Sequence, residues 1–482
     1  MQRRFFLTGA LTTAALPACA NAPETSARPT LKPADALARS APAADRLVGE
    51  AQLGGHVGFV VADARTGEVL ETYNPIRPMP PASVAKAVTG LYGLETLGVG
   101  YRFDTRLVAT GPIQNGRLEG DLVLVGGGDP ALDSDGLHDL AGQAKAAGLR
   151  EVAGRLLVDG GALPAIDRID ATQPDHVGYN PAVGGLNLNF NRVHFSWQRS
   201  GNSYQTAMDA RTDRFRPEVA SARMRVADRS LPVYSYAREG DVDAWTVARG
   251  QLGNAGSRWL PVRNPALYAG DVLRTMLRSN GITAPAAQAG TGQGTTIAVG
   301  RSATLDSVVK SMLKFSTNLV AEVIGLTATA KLSGRPGSLN ASADTMSAWV
   351  GQRTGARRPD FDDHSGLNGT TRISANDMVQ LLTAPGAMGR LRPLLKELTL
   401  EGPPRQPVQA KTGTLNFVSG LAGYFDARSG RSLAFATFAA DTDRRDRLSV
   451  AEREQPQGGA AWGRRARSLQ FDLIERWAAV HT

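Results

Sequence analysis

Serine, lysine, asparagine and threonine can build an acyl-transfer site when a chain gathers them in one cleft. This sequence offers three such groups in order: Ser83-Val84-Ala85-Lys86, then Ser316-Thr317-Asn318, then Lys411-Thr412-Gly413-Thr414. A serine hydroxyl is a weak nucleophile at neutral pH and needs a base within hydrogen-bond reach. On a helix, Ser83 and Lys86 at i and i+3 share a face, so the amine can lie beside the hydroxyl. Desolvation and a second cation, Lys411, would lower the Lys86 pKa and let it take the proton. The unpaired N–H groups of a first helical turn favour an anion at Ser83, whose own N–H can serve an oxyanion hole. The Ser316 hydroxyl would relay the proton between Lys86 and a leaving amine, while the Asn318 amide would hold a peptide backbone. Around Lys411, alternation sends Lys411 and Gly413 to one face of a strand and Thr412 and Thr414 to the other. Lys411 and the threonine hydroxyls can bind a terminal carboxylate. Gly413 leaves room for a substrate backbone along the strand, and the Thr414 N–H is the natural second oxyanion donor.

The short patterns recur, so context must choose among them. Ser307-Val308-Val309-Lys310 and Ser311-Met312-Leu313-Lys314 also match Ser-x-x-Lys, but neither opens a helix after a strand pair. Ser200-Gly201-Asn202, Ser338-Leu339-Asn340 and Ser374-Ala375-Asn376 also match Ser-x-Asn. Ser316 stands apart because it borders an amphipathic run, with Lys314 before it and Asn318-Leu319-Val320-Ala321-Glu322 after it.

The elements that must position these groups can be read in outline. His56 to Ala64 and Glu68 to Tyr73 form a hairpin turned at Arg65-Thr66-Gly67. A helix from about Ala82 to Leu97 follows, stopped by Gly98, with Ser83 in its first turn. From 102 to 264 the chain carries β-like runs (Asp121 to Val125, Leu186 to Phe190) and many Gly and Asn. Gly126-Gly127-Gly128-Asp129-Pro130 lacks the spacing and the Lys-Ser/Thr of a P-loop and reads as a strand-end turn. Pro265 to Ser279 is a helix ended by Asn280-Gly281, and Leu305 to about Thr327 one long amphipathic helix containing Ser316. Strands Val408 to Leu415, Gly420 to Asp426 and Ser432 to Ala439 precede a last helix, Ala461 to Val480, whose stripe of Leu469, Leu473 and Trp477 reads as core.

With 482 residues the chain suggests two or three domains. Residues 1–20 read as a signal peptide, with Arg3-Arg4 ahead of Phe5-Phe6-Leu7 resembling a twin-arginine signal. Cys19, the one cysteine, rules out an internal disulfide. We read cleavage after Ala20 and a periplasmic product, with lipidation of Cys19 the alternative. Residues 21–43 are a flexible leader rich in Ala, Pro, Ser and Thr. The catalytic domain is expected from 44–101 and 265–482, and 102–264 as a β-rich insertion of one or two small domains. The net charge of +9 is spread widely; no basic stripe interleaves with aromatics, which argues against nucleic acid as a partner. The six histidines show no metal-ligand spacing, and no cofactor is implied. No apolar run after the N-terminus is long enough to span a bilayer.

The ordered triple marks serine acyl-enzymes that act on penicillin and D-alanyl peptides. The chain further resembles D-alanyl-D-alanine carboxypeptidase/endopeptidases of the penicillin-binding protein 4 type, the low-molecular-mass class C group. The similar stretches are Pro81 to Lys86, Gly120-Asp121-Leu122 through Pro130, Tyr179-Asn180-Pro181, Met312-Leu313-Lys314, Asp363-His364-Ser365-Gly366-Leu367, and Ala410 to Leu415. The long interval between the first two groups is also a mark of that family, which inserts two small domains there. The resemblance implies an α+β, transpeptidase/β-lactamase-like fold, an antiparallel sheet flanked by helices. It also implies peptidoglycan stem peptides ending in D-Ala-D-Ala as substrates and β-lactams as covalent inhibitors. Two departures, Thr317 in place of the family's usual Asp and a short, proline-rich Leu398 to Gln409, bear on substrate preference more than on acylation.

Three readings follow. A D,D-peptidase is the first. A class A β-lactamase would need Glu-x-x-Leu-Asn between Asn318 and Lys411, and the nearest match, Glu397 to Glu401, fails at its last position. A non-catalytic cell-wall binding protein is the third, against which the intact groups argue.

Overall fold

The computed structural model describes residues 41–356, 359–399 and 407–481. The expected signal peptide and most of the leader lie outside them. The central sheet has six antiparallel strands drawn from both ends of the chain. They are β1 (His56–Asp63), β2 (Val69–Tyr73), β3 (Lys396–Thr399), β4 (Pro407–Leu415), β5 (Val418–Asp426) and β6 (Ser432–Ala440), in the order β3-β4-β5-β6-β1-β2. The apolar run of β1 is continuous because the strand is buried on both faces. Val60 and Ala62 pack into one core and Phe59 and Val61 into the other.

One face carries the helices that hold the reactive groups: α1 (Ala85–Leu97), α2 (Leu305–Phe315) and α3 (Asn318–Ser333). α1 is apolar around nearly its whole circumference and lies buried, as such a helix must. Its neighbours come close because Gly90 and Gly93 lack side chains. A Cβ at Gly93 would lie 2.4 Å from Ile324 Cγ2 of α3. The opposite face is covered by α4 (Gly459–Val480), whose Leu469, Leu473 and Trp477 are buried against Phe59, Phe425 and Phe435.

The structure corrects four expectations. The helix read from Leu305 to Thr327 is two helices, broken where Ser316 adopts the left-handed region (φ 59°, ψ 36°). Leu186 to Phe190 is no strand; it runs into a turn in which Asn189, Phe190 and Asn191 all have positive φ. The helix Pro265–Ser279, expected with the catalytic segments, packs into the core of the β-rich region. That region extends past 264, because Thr295–Arg301 pairs antiparallel with Asp104–Ala109. The pairing completes a five-stranded sheet with Leu122–Gly126, Leu156–Asp159 and Ala287–Ala289. Two three-stranded sheets formed between residues 192 and 261 lie against it, sharing its core.

Candidate active site

Ser83 does not sit in the α-helix itself. It occupies a 3-10 turn, Ala82–Val84, whose backbone leads straight into α1. Three glycines from separate segments hold this turn, each by lacking a side chain. A Cβ on Gly366 would lie 1.9 Å from the Ala82 carbonyl oxygen, one on Gly413 2.3 Å from that of Pro81, and one on Gly420 3.0 Å from the latter. The space at Gly413, expected to admit substrate, is thus filled by the protein's own Ser83 turn. Ala82 has φ 48°, a left-handed conformation that costs about 1–3 kcal/mol in a residue with a side chain and persists only when the surroundings impose it.

Lys86 is fully buried one helical turn further on. Its Nζ lies 2.9 Å from Ser83 Oγ, 2.7 Å from Asn318 Oδ1 and 2.8 Å from the Ser365 carbonyl oxygen. The last two atoms can only accept, so they take two N–H bonds of the amine. In the neutral amine the remaining position is the lone pair, and it faces the Ser83 hydroxyl. Burial draws the Lys86 pKa down to about 8, opposed by the carboxylates of Asp363 and Glu322. The orientation of the Asn318 amide is set by the β-rich region: its Nδ2 donates to the Tyr179 carbonyl at 2.8 Å, which turns Oδ1 toward Lys86.

Ser316 lines the same cleft, but among the described residues its hydroxyl makes no hydrogen bond to Ser83 or Lys86. Lys411 is buried on β4, with Gly413, while Thr412 and Thr414 are exposed, as alternation requires. Its Nζ donates to the Thr412 carbonyl at 2.7 Å. Burial, then Lys86, then Lys396 bring its pKa down to about 7. β3 pairs with β4 only from Pro407 to Ala410, so the edge from Lys411 onward has no partner strand among the described residues. The competing serines fall elsewhere. Ser307 and Ser311 are exposed on α2 with Lys310 and Lys314. Ser338 and Ser374 cap helices by accepting from the Ala341 and Asp377 N–H groups, and Ser200 is exposed at the end of a strand in the β-rich region.

The cleft, about 970 Å³, runs from Ser83, Ser316, Asn318 and Thr414 to a basic flank at Arg445 and Arg453. Arg445 is 7 % exposed, and the one hydrogen bond of its guanidinium among the described residues, to the Asn416 carbonyl, is long at 3.5 Å. Burial and the nearby Arg453 lower its pKa. Neither guanidinium has a carboxylate within 4 Å among the described residues.

The sequence profile of the D-Ala-D-Ala carboxypeptidase 3 (S13) family matches residues 41–455. The chain belongs to this family. It is a serine-type D-Ala-D-Ala carboxypeptidase, a hydrolase. It is similar to the D-alanyl-D-alanine carboxypeptidase DacB of Haemophilus influenzae, 25% identical over 80% of this chain and 85% of that protein. The D-alanyl-D-alanine carboxypeptidase of Actinomadura sp. strain R39 is 27% identical over 79% of this chain and 76% of its own. The crystal structure of penicillin binding protein 4 from H. influenzae covers 92% of this chain and 99% of its own, at 20% identity and a TM-score of 0.72. That likeness shows the fold, an antiparallel sheet flanked by helices, as expected. The sequence marked Tyr179, Asp363 and Ser365 only as parts of stretches similar to the family and gave them no role at the site, as it gave none to Glu322 beside Asn318 or to Arg445 and Arg453 along the cleft. One signal was present, since Glu322 lies four residues after Asn318 and so shares its helix face.

Proposed function

We propose that this enzyme hydrolyses D-Ala-D-Ala stem peptides through an acyl-enzyme on Ser83, and that β-lactams acylate the same hydroxyl. The observation that carries this reading is the seating of Lys86, whose two fixed acceptors leave its lone pair for Ser83. Lys86 takes the Ser83 proton as Oγ attacks the carbonyl between the two D-alanines. The leaving D-Ala amine receives that proton through the Ser316 hydroxyl, and water then cleaves the ester. The Ser83 and Thr414 N–H groups serve the oxyanion, with Asn318 and the open edge of β4 receiving the peptide backbone. Lys411, with the hydroxyls of Thr412 and Thr414, takes the terminal carboxylate, and Gly413 lets the Ser83 turn seat against the same strand. The basic flank at Arg445 and Arg453 supports an anionic peptide substrate. The size of the cleft, about 970 Å³, supports cutting of cross-links as well as trimming of termini, in the periplasm.

The test is labelling with a fluorescent penicillin followed by mapping of the modified peptide. Label on Ser83, lost in Ser83→Ala and strongly reduced in Lys86→Ala, is the expected outcome. Label on Ser307 or Ser311, or label retained by Ser83→Ala, overturns the assignment. Mass analysis of products from monomeric and cross-linked muropeptides then separates trimming from cross-link cleavage.

A further inference from the structure

Beneath Lys86 lie two carboxylates that the acylation scheme does not use. Glu322 of α3 and Asp363 of the loop before Gly366 are both completely buried. Glu322 accepts the His364 N–H on Oε2 at 2.9 Å and the Ser365 N–H on Oε1 at 3.0 Å. Asp363 accepts the N–H groups of Gly366 at 2.7 Å and Asn368 at 2.8 Å, and the Ser365 hydroxyl at 3.2 Å. Residue 365 is therefore gripped by both, and its carbonyl is one of the two atoms that fix Lys86. Among the described residues neither carboxylate has a cation within 4 Å. Burying a charge without a partner is costly, and two together more so. The cation that acts on both is Lys86.

We propose that Glu322 and Asp363 form an anionic floor under Lys86, as positioning residues that fix the Ser365 carbonyl and stabilise the ammonium formed when Lys86 accepts the Ser83 proton. This rests on the reading of Lys86 as the base. In that step the Ser83 O–H bond breaks, the proton moves to the Lys86 lone pair, and the freed oxygen electrons form the ester bond. The new positive charge arises in a site closed to water, where a carboxylate nearby is worth far more than in solvent. Burial and the neighbouring Asp363 raise the Glu322 carboxyl pKa, while the Ser365 and His364 groups that donate to it and the Lys86 charge draw it back down. Other charged groups facing Lys86 do not replace it. Lys411 of β4 carries the same sign. His364 is held neutral by burial, its pKa pushed down to about 3, with Nε2 on Ser342 Oγ. Lys310 and Lys314 of α2 are exposed.

The experiment is the pH dependence of Ser83 acylation by a fluorescent penicillin in the full chain, for wild type, Glu322→Gln, Asp363→Asn and Glu322→Asp. Removing one negative charge should move the acid limb down by about one pH unit, the lower end of shifts produced by a neighbouring opposite charge. It should also lower the plateau rate by roughly tenfold, the equivalent of one such unit. Glu322→Asp, which keeps the charge, should restore the wild-type midpoint. A merely structural role would scale the rate at every pH and leave the midpoint in place, and that result overturns the proposal. Should Glu322→Gln fail to fold, Asp363→Asn reads the same floor from the other side. Failure of the underlying reading is distinguishable, because Lys86→Ala would then label Ser83 as fast as wild type does.

Discussion

Lys411 offers a charge that changes near neutral pH. With its pKa near 7 in the free protein, it is a full cation only below that value. A bound carboxylate favours the ammonium and raises that pKa, so binding takes up a proton above pH 7. Affinity for a D-Ala-D-Ala peptide should then fall by up to about tenfold per pH unit above 7, until the pKa of the complex is reached. Competition against penicillin labelling at several pH values measures it. A ligand without a carboxylate, or the Lys411→Ala variant, should show a flat profile. The base runs the other way, because Lys86 must be neutral to accept a proton and holds it up to about pH 8. Gly413 carries a different kind of constraint. Its missing Cβ would lie 2.3 Å from the Pro81 carbonyl oxygen, so Gly413→Ala must push β4 and the Ser83 turn apart. A displacement on the order of 1 Å at a reacting atom costs about 10²-fold. Gly413→Ala should therefore lose roughly that much acylation rate while keeping its thermal unfolding transition, a result checked by labelling rate beside a melting curve.

At the scale of elements, the segment from 169 to 191 does for Asn318 what α1 does for Ser83. Asn180 is buried and accepts the N–H groups of Ile169 and Asp170 while donating to the Asp170 carbonyl. It thereby stabilises the loop whose next residue back, Tyr179, turns the Asn318 amide. Asn180→Ala leaves those buried groups unpaired, a loss of about 1–3 kcal/mol. It should lower both the melting temperature and the acylation rate, whereas Tyr179→Ala, which keeps the backbone carbonyl, should spare acylation. How much of this was legible follows from how local each signal is. The hairpin β1–β2, the helix of Lys86 and the strand of Lys411 were readable because period, turn residues and caps act within a few positions. The break at Ser316 was not: the apolar period from Leu305 to Ile324 continues across it with no Gly or Pro, and tertiary packing imposes the left-handed residue. Nor was the return of Thr295–Arg301 to pair with Asp104–Ala109, since a contact across nearly 200 residues leaves no local trace. Glu322 and Asp363 were quoted only as context for Ser316 and as part of a family-like stretch; their burial exists only once α3 and the loop before Gly366 meet beneath Lys86.

The whole molecule is assembled around a sheet whose strands come from the two ends of the chain. The one hydrogen-bonded neighbour that β1 has besides its hairpin partner is β6, which begins at Ser432. The strand of Lys411 lies two places further out, held through β5. During synthesis the Ser83 turn is therefore made first and left for about 280 residues without Gly366, and for more than 300 without Gly413 or Gly420, to hold it. A chain stopped before Ser432 has an apolar strand with an open edge, the kind of edge that recruits other chains. It should neither react with penicillin nor stay soluble, which pulse-labelling of staged truncations can follow. The time of birth of the enzyme is thus set by its last strands. A nascent copy should then be chemically silent, with serine reactivity arriving near the end of translation rather than growing with the chain.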